Sequence, residues 1–277
     1  MNNRYDARMK LPTLFVSHGG GPWPFMPDRI EDFAGTLAYL QKLPATLPSQ
    51  PTAILSVSGH WEEEQFTVAT SEHPPMVYDY YGFPEHTYRI KYAAPGSRAI
   101  AARVSQLLKA AGVTIDEDSE RGFDHGTFVP LAVMYPQARI PVVSLSLRAN
   151  LSATEHLRMG AALAPLRDEG VLIVGSGLSY HNLRALRMAS TAGPVSDQFE
   201  AWLTEAVSDP DPASRARQLS RWDTAPAARL AHPREEHLIP LMVAAGAAGN
   251  SRGALDFRDR VWGVSMASYR FDDGPAS

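Results

Sequence analysis

Cysteine is absent from this 277-residue chain, which excludes a disulfide framework and any thiolate metal site. A bound metal would have to be held by His, Asp or Glu. Long apolar runs are absent too: nowhere do about 18 apolar residues follow one another, so no membrane span is expected. The first ten residues are polar and hold no stretch resembling a signal peptide. Excess positive charge is also missing. Lys and Arg number 26 against 30 Asp and Glu, the formal net charge is -4, and no basic cluster offsets it. Nucleic acid is therefore not an expected partner. A soluble cytoplasmic protein is the expectation.

Several loop motifs are missing as well. The glycine-rich stretches lack the GxxxxGK[ST] pattern, and Gly19-Gly20-Gly21 lacks the spacing of a dinucleotide fingerprint. Gly175-Ser176-Gly177 falls short of the GxSxG elbow, and no HExxH occurs. A kinase, a dehydrogenase and an ordinary α/β-hydrolase are all disfavoured.

What is present is ordinary globular material, 44% hydrophobic and 20% charged, long enough for one large domain over 1–277. Residues 11–22 begin as a short apolar run and break into three glycines directly after His18. Those glycines suit either a backbone cradle for phosphate or the space around a working histidine. A second strand, expected over 52–58, ends the same way in Gly59, His60 and Trp61. Further strands are expected at 66–70, 113–116, 140–147, 171–174 and, closing the chain, 261–269. Helical spacing predicts helices over 28–43 with Asp28 as N-cap, 97–111, 127–135, 154–168, 195–207, 212–222 and 235–246. The tail, 272–277, reads as a frayed terminus. Strands alternating with helices predict an α/β three-layer sandwich, its mostly parallel or mixed sheet covered by helices on both faces.

Placement matters more than number for the nine histidines. His18, His60 and His181 each follow an apolar strand that breaks at glycine. His125 lies in the turn Asp124-His125-Gly126, and His237 in the first turn of the expected helix. The carboxyl ends of strands and the starts of helices are where open α/β sheets build sites, and imidazole is both a metal ligand and an acid or base near neutrality. His73, His86, His156 and His232 have no such context and read as surface or core residues. The segment 76–92 is dense in aromatics. It reads either as a loop packed by its own side chains or as a wall over a flat ligand.

Six motifs in order then carry a resemblance. They are Ser17-His18-Gly19, Ser58-Gly59-His60-Trp61, Gly82-Phe83-Pro84 with Ala94-Pro95-Gly96, Gly122-Phe123-Asp124-His125-Gly126, His181-Asn182-Leu183, and Glu236-His237 with Leu238 and Pro240. Together they resemble the class III extradiol aromatic ring-opening dioxygenases, in the branch similar to DOPA 4,5-dioxygenase. The resemblance spans most of the chain.

It implies a mononuclear non-haem metal on His18, His60 and His237, with His181 as acid/base and His125 assisting substrate or oxygen. Fe(II) is implied for activity, and Zn(II) is a further occupant of a three-histidine site. Glu235 and Glu236 stand beside His237 as alternative carboxylate ligands. The implied reaction opens a catechol-type ring, DOPA-like, with dioxygen to a muconic semialdehyde. Trp23, Tyr78, Tyr80 and Tyr81 are the expected pocket wall. Two rival readings remain: a zinc-dependent hydrolase on the same histidines, and a non-catalytic binding protein of the same fold.

Overall fold

The computed structural model describes residues 9–187 and 189–273. Most of the polar amino-terminal stretch and of the 272–277 tail lies outside them. Strand β1 (Thr13–Ser17) leads through 3-10 turns into α1 (Ala34–Lys42), and β2 (Ala53–Ser58) follows. Short strands β3 (Glu62–Glu63) and β4 (Phe66–Ala69) precede the long aromatic connection. Next come α2 (Arg98–Ala110), β5 (Ile115–Asp118), α3 (His125–Met134), β6 (Val142–Ser144), β7 (Leu147–Arg148) and α4 (Ala153–Leu163). β8 (Val171–Gly177) is followed by α5 (Ala189–Ser208), α6 (Pro212–Ser220), α7 (Ala228–Ala231) and α8 (Ile239–Ala248). A hairpin, β9 (Arg252–Val261) and β10 (Val264–Asp272), closes the chain.

The main sheet has the order β6-β2-β8-β1-β10-β9. Its first four strands are parallel, and β10 joins β1 antiparallel, so the sheet is mixed. Strands β1, β2 and β8 are buried along their whole length, as a sheet covered on both faces requires. Side chains along β8 show which helix lies on which face. A Cβ on Gly175 or Gly177 would strike the carbonyls of Pro240 or His237, so α8 and the turn before it lie on that face. Ser176 points the other way, to the Gly126 carbonyl of α3. Tyr269, level with Phe15 and Gly175, bonds Thr204 of α5 on the α8 face. On the opposite face Tyr39 of α1 stacks on Phe257 of β9 at 4.6 Å. The sandwich is therefore three-layered, and no helix among the described residues is long and apolar enough to cross a membrane.

The strand expected over 140–147 divides into β6 and β7, which belong to different sheets, and three further elements depart from the sequence expectation. The helix expected over 28–43 begins only at Ala34, because Phe33 leaves helical geometry (φ -118°, ψ 21°) and packs its ring on Trp23 at 4.8 Å. The helix expected from 235 begins at Ile239, with Pro240 in its first turn, a position that proline tolerates. His237 thus sits in the turn before the helix. The expected closing strand over 261–269 straddles a hairpin turn at Trp262 and Gly263, both at positive φ (50° and 82°).

Candidate metal centre

Strands β2, β8 and β1 are neighbours and parallel, so their carboxyl ends share one edge of the sheet. His18 follows β1 directly and Gly59-His60 follows β2. Backbone bonds hold both close to β8: His18 N–H donates to Gly177 O at 3.1 Å and Gly59 N–H to Ser176 O at 3.0 Å. The turn carrying His237 lies across the end of β8, where Leu178 N–H donates to His237 O at 3.0 Å. A Cβ at Gly177 would stand 1.9 Å from that carbonyl and one at Gly59 2.8 Å from Glu236 O. These glycines permit the close approach that gathers three histidines.

His18, His60 and His237 converge on one point through Nε2. The His60 nitrogen lies 3.2 Å from that of His18 and 3.1 Å from that of His237, and one ligand atom from each of the three falls within 4.8 Å of the others. Each opposite nitrogen has its own partner. Ser176 donates its hydroxyl hydrogen to Gly126 O, so it accepts from His18 Nδ1 at 3.0 Å. The Nδ1 of His60 faces Asp79 Oδ2 at 3.2 Å and that of His237 faces Glu236 Oε1 at 2.9 Å. A carboxylate only accepts. All three imidazoles therefore carry their proton on Nδ1 and present an Nε2 lone pair.

Three lone pairs facing one another repel unless a cation lies between them. Imidazole nitrogens about 2.0–2.1 Å from one tetrahedral ion stand about 3.3 Å apart, close to the spacing found. Charge points the same way. Burial, then the neighbouring histidines, holds His18 and His237 well below their ordinary pKa, and burial lowers His60 to about 4. At neutral pH all three are unprotonated, as ligands must be. The donor set fits a single first-row metal ion.

His125 and His181 flank the trio. His125 is the first residue of α3, whose N-cap Asp124 accepts from Thr127 N–H. Its ring lies 3.9 Å from that of His60, and its Nδ1 sits 2.9 Å from both Asp79 oxygens. His181 stacks on His237 at 3.5 Å and donates from Nδ1 to Glu236 Oε1 at 2.8 Å. Burial raises the pKa of both carboxylates, but hydrogen bonds and charge from the histidines outweigh it, so Glu236 is lowered and Asp79 falls to about 2. Glu236 accepts from two histidines and Glu235 pairs with Arg229.

All five histidines line a cavity of about 460 Å³. Gly19, Gly20 and Gly21 form part of its wall. Gly19 and Gly21 hold positive φ, with Trp23 and Phe83 packed where their Cβ atoms would be. The glycines thus give access rather than a phosphate cradle. Tyr80 and Tyr81 line the cavity, Tyr81 at its mouth with 91% exposure. Trp23 and Tyr78 stand behind the wall: the Trp23 indole donates to His18 O and the Tyr78 hydroxyl to Ile90 O. The aromatic segment is both packed by its own contacts and part of the wall. His156 and His232 are buried on backbone partners elsewhere, His86 bonds Phe25 O, and His73 is at the surface.

Phe83, in the aromatic segment read as a wall, does line the cavity, whereas sequence reasoning missed Asp79, Ser176, Phe33, Leu178, Arg29 and Trp262. Only Ser176 carried a signal, a polar residue between glycines at the end of a buried strand. Asp79 is hidden between two tyrosines, and Trp262 lies in an unrecognised turn.

Comparison with known proteins agrees with the geometry. Residues 30–269 match the family described as the catalytic LigB subunit of aromatic ring-opening dioxygenase. The chain is 40% identical over 265 residues to a 4,5-DOPA dioxygenase extradiol of Beta vulgaris, covering 94% of this chain and 96% of the relative. A protein named dioxygenase tasH from Hapsidospora irregularis is 37% identical, with 95% and 86% covered. A crystal structure of an uncharacterised Escherichia coli K12 protein superposes with a TM-score of 0.74 at 32% identity, covering 94% of this chain and 99% of that one. The chain belongs to this family of extradiol ring-cleaving dioxygenases, which are non-haem metal enzymes.

Proposed function

We propose that this protein opens the ring of a DOPA-like catechol beside its diol, incorporating both atoms of dioxygen to give a muconic semialdehyde. The supporting observation is the arrangement of three Nε2 lone pairs beneath a cavity whose wall is largely aromatic. The names of several relatives point to the same substrate class. His18, His60 and His237 hold Fe(II) as the working metal, within one catalytic domain over 1–277. Bound there, Fe(II) supplies the one-electron exchange with dioxygen that side chains lack.

The remaining groups handle protons and orientation. Glu236 fixes the His181 proton on Nδ1, which leaves Nε2 to take a phenolic proton and later return it. Asp79 does the same for His125, which also borders the cavity and steadies the substrate or dioxygen. Phe33, Phe83, Leu178 and Trp262 keep water from the ring. The test is anaerobic reconstitution with Fe(II), then air and a panel of catechols. Oxygen uptake with a yellow product is expected. If the iron form turns over no catechol, the proposal fails. Oxygen-independent ester or amide hydrolysis by the zinc form would favour the hydrolase instead.

A further inference from the structure

The cavity contains one charged side chain that the metal centre does not use. Arg29 lines its mouth, and every other lining residue among those described is histidine, aromatic, leucine or glycine. Its guanidinium is also under-used. Among the described residues the nearest carboxylate oxygens, on Asp32 and Asp28, stand at 3.5 and 3.9 Å, beyond good hydrogen-bond length. Arg103 reaches Glu169 at 2.7 Å, and Arg121 reaches Asp124 at 2.6 Å. Arg29 thus has donors to offer at the entrance to an otherwise uncharged wall.

A second observation lies beside it. Trp262 also lines the cavity and adopts φ +50° in a two-residue hairpin turn, where Asn or Gly is the usual occupant. A bulky residue in that region is strained, and such strain persists only where surrounding contacts hold it. The contacts are present. The indole N–H donates to Asp32 Oδ2 at 3.0 Å, the ring meets Phe33 edge-on at 5.3 Å, and it packs over Gly20. The same Asp32 oxygen lies nearest Arg29. One carboxylate therefore hydrogen-bonds the indole and stands 3.5 Å from the guanidinium, so that a cation and an aromatic plate flank it at the mouth, from segments more than 200 positions apart.

We propose that Arg29, which stands with Trp262 beside Asp32, is a specificity-determining residue that recognises a carboxylate borne on the side chain of the catechol. The histidine centre takes the diol, Trp262 covers the apolar linker, and the guanidinium meets the anionic end. This assignment rests on the catechol reading above and names the charge its substrate carries.

The test uses Zn(II)-loaded protein without oxygen, so that binding is read apart from turnover. Calorimetry compares 3,4-dihydroxyphenylpropionate with 4-methylcatechol for the natural chain, Arg29→Ala and Arg29→Lys. The natural chain should prefer the carboxylated ligand. Arg29→Ala should lower the ratio of the two affinities about tenfold, the size of one half-exposed charge-assisted contact. Arg29→Lys should restore part of it. An unchanged ratio in Arg29→Ala would overturn the assignment. Failure of every form to bind either catechol would overturn the catechol reading itself, a distinct result.

Discussion

Two carboxylates flank the three convergent histidines, and they are built differently. Asp79 joins His60 to His125, and Glu236 joins His237 to His181. Each arm thus pairs one of the convergent histidines with one outside the trio. Asp79 arrives from the aromatic segment and uses both oxygens. Oδ1 accepts the His125 backbone N–H at 3.0 Å, and Oδ2 faces His60 Nδ1 at 3.2 Å. Glu236 adjoins His237 in sequence, and its Oε1 alone accepts from both histidines. The Asp79 arm ties a helix start to a distant loop and encloses His125. The Glu236 arm is local and leaves His181 bordering a second, outer cavity with Asn182, Arg184 and Arg234. A rigid arm suits orientation, and an arm open to solvent suits proton exchange.

Removing a histidine common to neither outer pair should have the largest effect. His18→Ala should weaken metal binding by more than about 100-fold and abolish activity, read by metal analysis after dialysis. His181→Ala should keep its metal and lose roughly 100- to 10,000-fold in kcat. His125→Ala should raise KM more than it lowers kcat, which steady-state kinetics separates. Equal kcat losses in the two variants would erase the distinction between the arms.

The carboxylates can be compared by amide replacement. Asp79→Asn puts an NH2 group against a histidine N–H whichever way it turns, because both oxygens accept. Glu236→Gln keeps the one accepting oxygen that both histidines use, and its NH2 group replaces only Oε2, which lies 3.5 Å from Arg234. Losing such a partner costs about 10- to 100-fold in metal affinity. Asp79→Asn should fall near the upper end and Glu236→Gln near the lower, measured by competition with a chelator. The reverse order would contradict the hydrogen-bond assignment.

The smallest effect separates acid damage at the centre from acid damage in the core. His156 lies outside both arms, fully buried, with Nδ1 donating to Ser152 O and Nε2 accepting from Arg148 N–H. Burial lowers its pKa from 6.5 to about 4. The unfolded chain therefore binds the extra proton first, and the stability this neutral ring contributes, present above pH 6.5, is lost as pH falls towards 4. The shift corresponds to on the order of 3 kcal/mol. Urea midpoints of metal-free protein should fall across that window, less steeply in His156→Gln.

Much of this was legible in the chain, for identifiable reasons. A histidine beside glycine at the end of an apolar strand announced His18 and His60, because β1 and β2 are fully buried and end abruptly at one sheet edge. Helices with clear amphipathic spacing, such as α2, were read correctly in position. The closing hairpin was not, since β9 is an edge strand with alternating charged residues and its turn is Trp262-Gly263 rather than Asn-Gly. Asp79 was invisible because its partners lie 19 and 46 positions away, a spacing set by tertiary packing alone. Gly175-Ser176-Gly177 looked like a failed hydrolase elbow. In the fold its glycines seat the His237 turn and its serine fixes the His18 tautomer.

The central claim is that three Nδ1-anchored histidines hold one metal that opens a catechol ring. The most direct measurement is iron content together with oxygen-electrode traces on the anaerobically reconstituted protein. One iron per chain, with oxygen and catechol consumed in equal amounts, is the predicted result. Stoichiometric iron with no catechol consumed would contradict it.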